Sequence, residues 1–359
     1  MAKHQNIALF VPHQGCPQDC VFCNQARITG QKREDALIEE QVRNTIDIQL
    51  QTMSADDRIE IAYFGGSFTG LPRSYQTMLL SIAKEYIDQG KVYGIRLSTR
   101  PDYINEAILK YLDSYGVTTI ELGTQSMIQE VLDRTKRGHT VEHTRKAANL
   151  IRNHPSFQLG LQLLPGLPGD SLEYSLYSAQ EVAKLKPDFV RIYPTLVIKG
   201  TELEWDYALG RYQPMTMDEA IERVAKMWLV FLKANIPVIR MGLQPSEDLR
   251  EEGNVIAGPF HPAFRQLVEG YLFEHLFNMI IHDQMVPEKI RIHPADETAV
   301  RGSKGSRWKK FTSHFTYPIT LEFDRQLTRQ EIEVVSQGMS RIYRFQDLSL
   351  DAIECELVN

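Results

Sequence analysis

Between residues 7 and 241, short apolar runs alternate with amphipathic stretches of helical length, and this alternation limits the fold more than any other feature of the chain. Strands separated by crossovers of that length pair in parallel. Strands are expected at residues 7–11, 59–64, 95–98, 119–122, 159–164 and 189–193, with 238–241 as a further candidate. Helices are expected at 34–52, 73–88, 105–115, 141–152, 171–184 and 217–234, with Asn105 as a cap and Gly116 as a stop. No glycine-rich dinucleotide fingerprint follows the first strand. The chemistry-bearing residues instead follow the C-terminal ends of successive strands, as in a barrel. The expected fold class is α/β: a partial TIM-like (β/α)6 parallel barrel over residues 1–245. The pattern changes after Pro245, and 246–359 read as a smaller α+β appendage. There a helix is expected at 262–281, a strand at 319–323 and a second helix at 328–338.

Three of the four cysteines fall within residues 16–23, directly after the first strand: Cys16, Cys20 and Cys23, spaced C-x3-C-x2-C. The fourth, Cys355, reads as a bystander. A secreted disulfide scaffold spreads its cysteines more evenly. Clustered thiolates converging from one loop suit an Fe–S cluster, and three of them leave one iron open to a further ligand. The alternative is a zinc knuckle completed by His13 or His4. The net charge of −6 with 24% charged residues excludes a protein that coats nucleic acid by global charge. No apolar run approaches the length of a membrane span. The first six residues lack the apolar core of a signal peptide, so the expected location is cytoplasmic.

C-x3-C-x-aromatic-C resembles the signature of the radical S-adenosylmethionine (SAM) superfamily. The resemblance implies a 4Fe–4S cluster on Cys16, Cys20 and Cys23, whose open iron holds the amino and carboxylate groups of SAM. One electron then cleaves SAM to methionine and a 5′-deoxyadenosyl radical. Phe22 matches the position that lies against the adenine. Gly65-Gly66-Ser67-Phe68 resembles the motif that contacts the SAM amino group, with Ser67 where Glu is usual. Ser98 also stands where many relatives carry a SAM-holding Glu. Gln125 matches a ribose contact, Gln162 stands where some relatives place a ribose-binding Asp, and Arg137 matches an arginine that pairs with the SAM carboxylate.

Residues 99–103, 121–126, 135–141 and 192–203 resemble most the radical SAM part of the Elongator catalytic subunit, a family that modifies wobble uridines of tRNA. The oxygen-independent coproporphyrinogen oxidase group shares the layout more loosely. The segment Arg301-Gly302-Ser303-Lys304-Gly305-Ser306 does not fit an acetyl-CoA loop, because Lys304 occupies the first glycine position, so acetyl transfer is expected to be absent.

Three functions compete at this point. The first is a radical SAM enzyme acting on tRNA, for which Lys289, Arg291, Arg301, Lys304, Arg307, Lys309 and Lys310 offer phosphate contacts and Trp308, Phe311 and Phe315 offer base stacking. The same composition also fits a solvated loop. The second is a radical SAM enzyme acting on a small molecule or tetrapyrrole, with Arg100, Arg191 and Tyr193 binding its acidic groups. The third is a SAM- or RNA-binding module without turnover. Either enzyme implies an electron donor of flavodoxin or ferredoxin type.

Overall fold

The computed structural model describes residues 3–11, 20–24, 37–54, 56–243 and 253–350. They form two compact units, residues 1–215 with 236–260, and residues 216–235 with 261–359. The expected boundary at 245 follows chain order, whereas these units interleave.

The first unit is built on seven parallel strands: β1 (His4–Val11), β2 (Arg58–Gly65), β3 (Gly94–Thr99), β4 (Val117–Gln125), β5 (Gln158–Leu163), β6 (Phe189–Ile192) and β8 (Val238–Met241), in that order across the sheet. The six-strand expectation is thus extended by the candidate at 238–241. β1 and β8 are the two edges, so the sheet is a half-barrel rather than a closed one. The crossovers carry α1 (Glu39–Leu50), α2 (Arg73–Asp88), α3 (Glu106–Ser114), α4 (Gln129–Arg134), α5 (Val141–Arg152) and α6 (Leu172–Lys184). Asn105 caps α3 by accepting from Ile108 N, and Ser171 caps α6 by accepting from Tyr174 N. A short pair, β7 (Val197–Ile198) with β9 (Val255–Ala257), and α7 (Glu202–Ala208) complete the unit.

Strand alternation splits the sheet into two unlike faces. Ile7, Leu9, Ile59, Ile61, Ile95, Leu97, Ile120, Leu122, Leu159, Leu161, Val190 and Ile192 are buried on one face. Each such side chain stabilises the fold by roughly 1.5–3 kcal/mol. The other face, the inside of the half-barrel, carries Glu60, Arg96, Glu121, Gln162 and Arg191. Gly160 lies there too. A Cβ on it would come within 2.4 Å of the Phe189 ring and 3.0 Å of Glu121 Cγ, so only glycine leaves these side chains their places.

The second unit holds α8 (Met217–Lys233), α9 (Phe264–His282), α10 (Glu297–Arg301) and α11 (Ser306–Thr312). It also holds a mixed four-stranded sheet in the order β11 (Thr320–Phe323), β10 (Lys289–Ile292), β12 (Glu331–Ser336), β13 (Met339–Arg344). α8 and α9 pack together, with Trp228 and Phe273 edge-on to Phe345. The helix expected at 328–338 is instead strand β12. Ile332 and Val334 are buried while Glu331, Glu333 and Val335 are partly exposed, a period of two that β-branched residues favour. Among the described residues, no helix is long and apolar enough to cross a membrane.

Candidate active site

The motif residues gather where the strands of the half-barrel end. β2 closes on Gly65, whose φ of +110° and lack of a side chain let Val11 O approach to 2.3 Å of where a Cβ would stand. Ser67 follows, buried, with its Oγ 2.8 Å from Thr99 Oγ1 and accepting from Arg100 N at 3.1 Å. The Ser67 hydroxyl therefore ties the end of β2 to the end of β3. Ser98 and Gly66 line a small pocket there together with Val11, Phe64, Ser67 and Phe68. Arg100 forks onto Asp102, Nε to Oδ1 at 3.0 Å and Nη2 to Oδ2 at 2.9 Å.

β4 ends in Gln125, held at φ +66°, where Gln162 Nε2 donates to its Oε1 at 3.4 Å. Gly123 lies between Gln125 and Arg137. A Cβ there would meet Gln125 Nε2 at 2.8 Å and Arg137 Nη2 at 3.2 Å. Arg137 is 6% exposed, donates from Nη2 to Gly123 O at 2.7 Å, and donates from Nη1 to Cys20 Sγ at 3.4 Å.

The cysteine segment is laced to its neighbours through its backbone. Val21 N donates to Thr135 O at 3.3 Å, and Leu203 N donates to Val21 O at 2.8 Å. Cys23 N donates to Cys20 O at 3.0 Å, so one turn presents both thiols. Cys20 is buried, and Cys23 and Phe22 are half-buried. Cys16 lies outside the described residues, as do His13 and Cys355. Among the described residues no three His, Cys, Asp or Glu side chains converge as a metal site.

Cys20, Arg137, Gln125 and Gln162 are thus brought together, with Gly65, Gly66, Ser67 and Ser98 on the neighbouring strand ends. His139, which no motif singles out, sits behind this edge at 1% exposure. Neither of its ring nitrogens makes a well-formed hydrogen bond. Burial, and then the charges of Arg137 and Arg100, push it down to about 2, with the Thr124 backbone acting weakly the other way. The imidazole is therefore neutral.

Motif reading also passes over the ionic ladder inside the half-barrel. Glu60 accepts from Arg96 Nε at 3.0 Å and from the hydroxyls of Thr118 and Thr119 at 2.7 Å each. Arg96 Nη1 continues to Glu121 Oε1 at 3.0 Å. Arg191 Nε lies 3.0 Å from Glu121 Oε2, an ion pair whose angle is too poor for a hydrogen bond, while its Nη1 donates to Tyr193 OH at 3.3 Å. Burial works to raise the Glu60 carboxyl, but Arg96, the two threonine hydroxyls and His4 outweigh it and hold Glu60 below the ordinary range. A sequence signal for the ladder exists. Each of these charges sits alone between apolar neighbours in a strand, as in Ile59-Glu60-Ile61 and Ile120-Glu121-Leu122.

The basic stretch of the second unit is less available than its composition implies. Lys289 and Arg291 pair with Glu322, Arg301 with Glu297, and Lys310 with Glu274. Arg307 is partly buried against Gly270, and burial lowers its pKa. Trp308, Phe311 and Phe315 pack with Phe277 and Tyr317. Base stacking by Phe311 is therefore ruled out, because the side chain is already in a core. Lys304 and Lys309 remain exposed, without a carboxylate partner among the described residues.

The chain is 32% identical over 189 residues to a tRNA uridine(34) acetyltransferase of Methanocaldococcus jannaschii, covering 47% of this chain and 35% of that protein. It is 30% identical over 207 residues to human Elongator complex protein 3, covering 52% of this chain and 38% of that one. It thus spans little more than a third of the length of these curated relatives. Among solved structures, the Elp3 of Methanocaldococcus infernus with an N-terminal deletion superposes with a TM-score of 0.61 at 23% identity, over 80% of this chain and 69% of that one, a likeness of fold. The model for the radical SAM superfamily matches residues 10–177, and that for the radical SAM C-terminal domain matches 187–274. The half-barrel, the cysteine spacing and these two matches agree, and the chain belongs to the radical SAM superfamily of enzymes.

Proposed function

We propose that this enzyme cleaves SAM reductively at a 4Fe–4S cluster held by Cys16, Cys20 and Cys23, and uses the resulting 5′-deoxyadenosyl radical to modify tRNA. The observation that carries the reading is the junction of Cys20 and Arg137 at the strand ends, a buried cation on a buried thiol. The residues fit the group. Soft sulfur is the donor that an iron–sulfur cluster needs. Among the described residues the buried Arg137 Nε has no acceptor, a donor left for an anionic ligand.

Bound cluster and SAM supply one-electron chemistry that side chains lack. The chain supplies orientation. Arg137 holds the SAM carboxylate with N–H groups not already engaged, for a guanidinium has five. The amino group meets the backbone of Gly65 and Gly66, because the Ser67 hydroxyl is occupied by Thr99 and Arg100. Ser98 lines the same pocket. Gln125 and Gln162 would offer hydrogen bonds to the ribose hydroxyls, and Phe22 would offer an aromatic face to the adenine. A flavodoxin- or ferredoxin-type donor delivers the electron.

The tRNA arm is supported by the Methanocaldococcus jannaschii relative, which is named as a tRNA uridine(34) acetyltransferase. A small-molecule substrate is the second reading. It is favoured by the packed aromatics and paired bases of the second unit. Anaerobic protein with dithionite and SAM should form 5′-deoxyadenosine slowly, and added tRNA should speed this and yield a new nucleoside by mass spectrometry. Acceleration by a small-molecule extract but not by tRNA selects the second reading. No 5′-deoxyadenosine under any condition contradicts the proposal.

A further inference from the structure

We propose that Arg137 is also a positioning residue for the cluster itself: it donates a charge-assisted hydrogen bond to the Cys20 thiolate and so raises the potential at which the cluster accepts an electron. This rests on the cluster assignment above but concerns a different act of the same side chain.

The geometry leaves the guanidinium little freedom. Nη1 is 3.4 Å from Cys20 Sγ, and Nη2 is anchored on Gly123 O at 2.7 Å. Gly123 makes room for it, as any side chain there would crowd Nη2. The arginine stands in a turn that Arg137 N closes on Leu132 O at 3.0 Å, between Lys136 at φ +53° and Gly138 at φ +72°. The preceding residue but one, Thr135, accepts from Val21 N, so the same turn grips the cysteine segment. Donor and thiol are therefore fixed to each other by backbone on both sides.

Among the described residues no carboxylate cancels the charge. Arg96, Arg191 and Arg100 each face a carboxylate at 3.0 Å or less. Among the described residues none pairs with Arg137. A buried positive charge without a counterion acts over its neighbours at low dielectric. Hydrogen bonds to the sulfurs and net charge are two of the factors that set a cluster's potential. Both stabilise the reduced, more negative state.

The test is an EPR-monitored redox titration of anaerobically reconstituted protein without SAM, so that SAM binding does not enter. At the wild-type midpoint, Arg137→Gln should favour the reduced cluster about ten-fold less, a shift of about 59 mV downward for one electron. Arg137→Lys, which keeps the charge but not the fork, should fall between. Arg134→Gln removes an exposed charge at the end of α4, three residues away, and should leave the potential in place. Arg137→Gln with an intact cluster and wild-type potential overturns the inference, as does an equal shift from Arg134→Gln. Should Arg137→Gln not retain a cluster, wild-type protein labelled with [15N]arginine decides. Pulsed EPR of its reduced cluster should show a guanidinium nitrogen coupling, and its absence overturns the inference. A wild-type protein that assembles no cluster sinks the cluster assignment instead, which separates the two failures.

Discussion

Two sets of buried polar side chains lie on one sheet and at its strand ends, and they differ in whether each charge faces an opposite one. Inside the half-barrel, Glu60, Arg96, Glu121 and Arg191 set two negative charges against two positive, each within 3.0 Å of a partner. At the strand ends, and among the described residues, Arg137 has no carboxylate, its Nε has no acceptor, and His139 and the Thr124 hydroxyl lack hydrogen-bond partners. Burial costs a polar group unless it is paired, so a closed set reads as scaffold and an open one as a place for a ligand.

Breaking the closed set should have the largest effect. Glu121→Leu leaves Arg96 and Arg191 short of a counterion, and should cost about 3–5 kcal/mol of core stability by chemical denaturation. A loss under 1 kcal/mol would show that the ladder is not a unit. Breaking the open set should instead show in binding. Arg137→Ala should weaken SAM by roughly 1.5–3 kcal/mol in calorimetry. Unchanged affinity would mean that the carboxylate lies elsewhere.

The two sets also part in their response to pH. His139 stays neutral in the fold down to about 2, while the unfolded chain protonates it below about 6.5. The unfolded state then binds more protons, so stability falls as pH drops below 6.5, by about 1.4 kcal/mol per unit from this group. His139→Phe should flatten that slope between pH 6.5 and 5. Glu60 is lowered, so its contribution holds above the carboxylate range and is lost only as pH falls through it. The smallest effect is expected in the second unit. Lys304→Gln and Lys309→Gln should change stability by no more than about 0.5 kcal/mol. If they contact RNA, each should lower the salt slope of binding by about one.

Much of this was legible before folding, and the reason is periodicity. The strands and helices of the first unit alternate cleanly, and α2, α5 and β8 fall on their expected residues. Residues 328–338 misled because Thr328-Arg329-Gln330-Glu331 resembles a capped helix start, whereas β12 is fixed by pairing with β10 and β13, which are far in sequence or join through a tight turn. The motif arginine was legible but not its grip on Cys20, since 117 residues separate them. Composition misled most in the basic stretch, where Phe311 and its neighbours satisfy each other rather than a base.

The open set is proposed to be a cluster site. Metal and sulfide analysis of anaerobically reconstituted protein tests that directly. About four irons and four sulfides per chain are predicted. They should persist in Cys355→Ala and vanish in Cys16→Ala, Cys20→Ala and Cys23→Ala. One tightly held zinc per chain, in protein that takes up no iron, would contradict it.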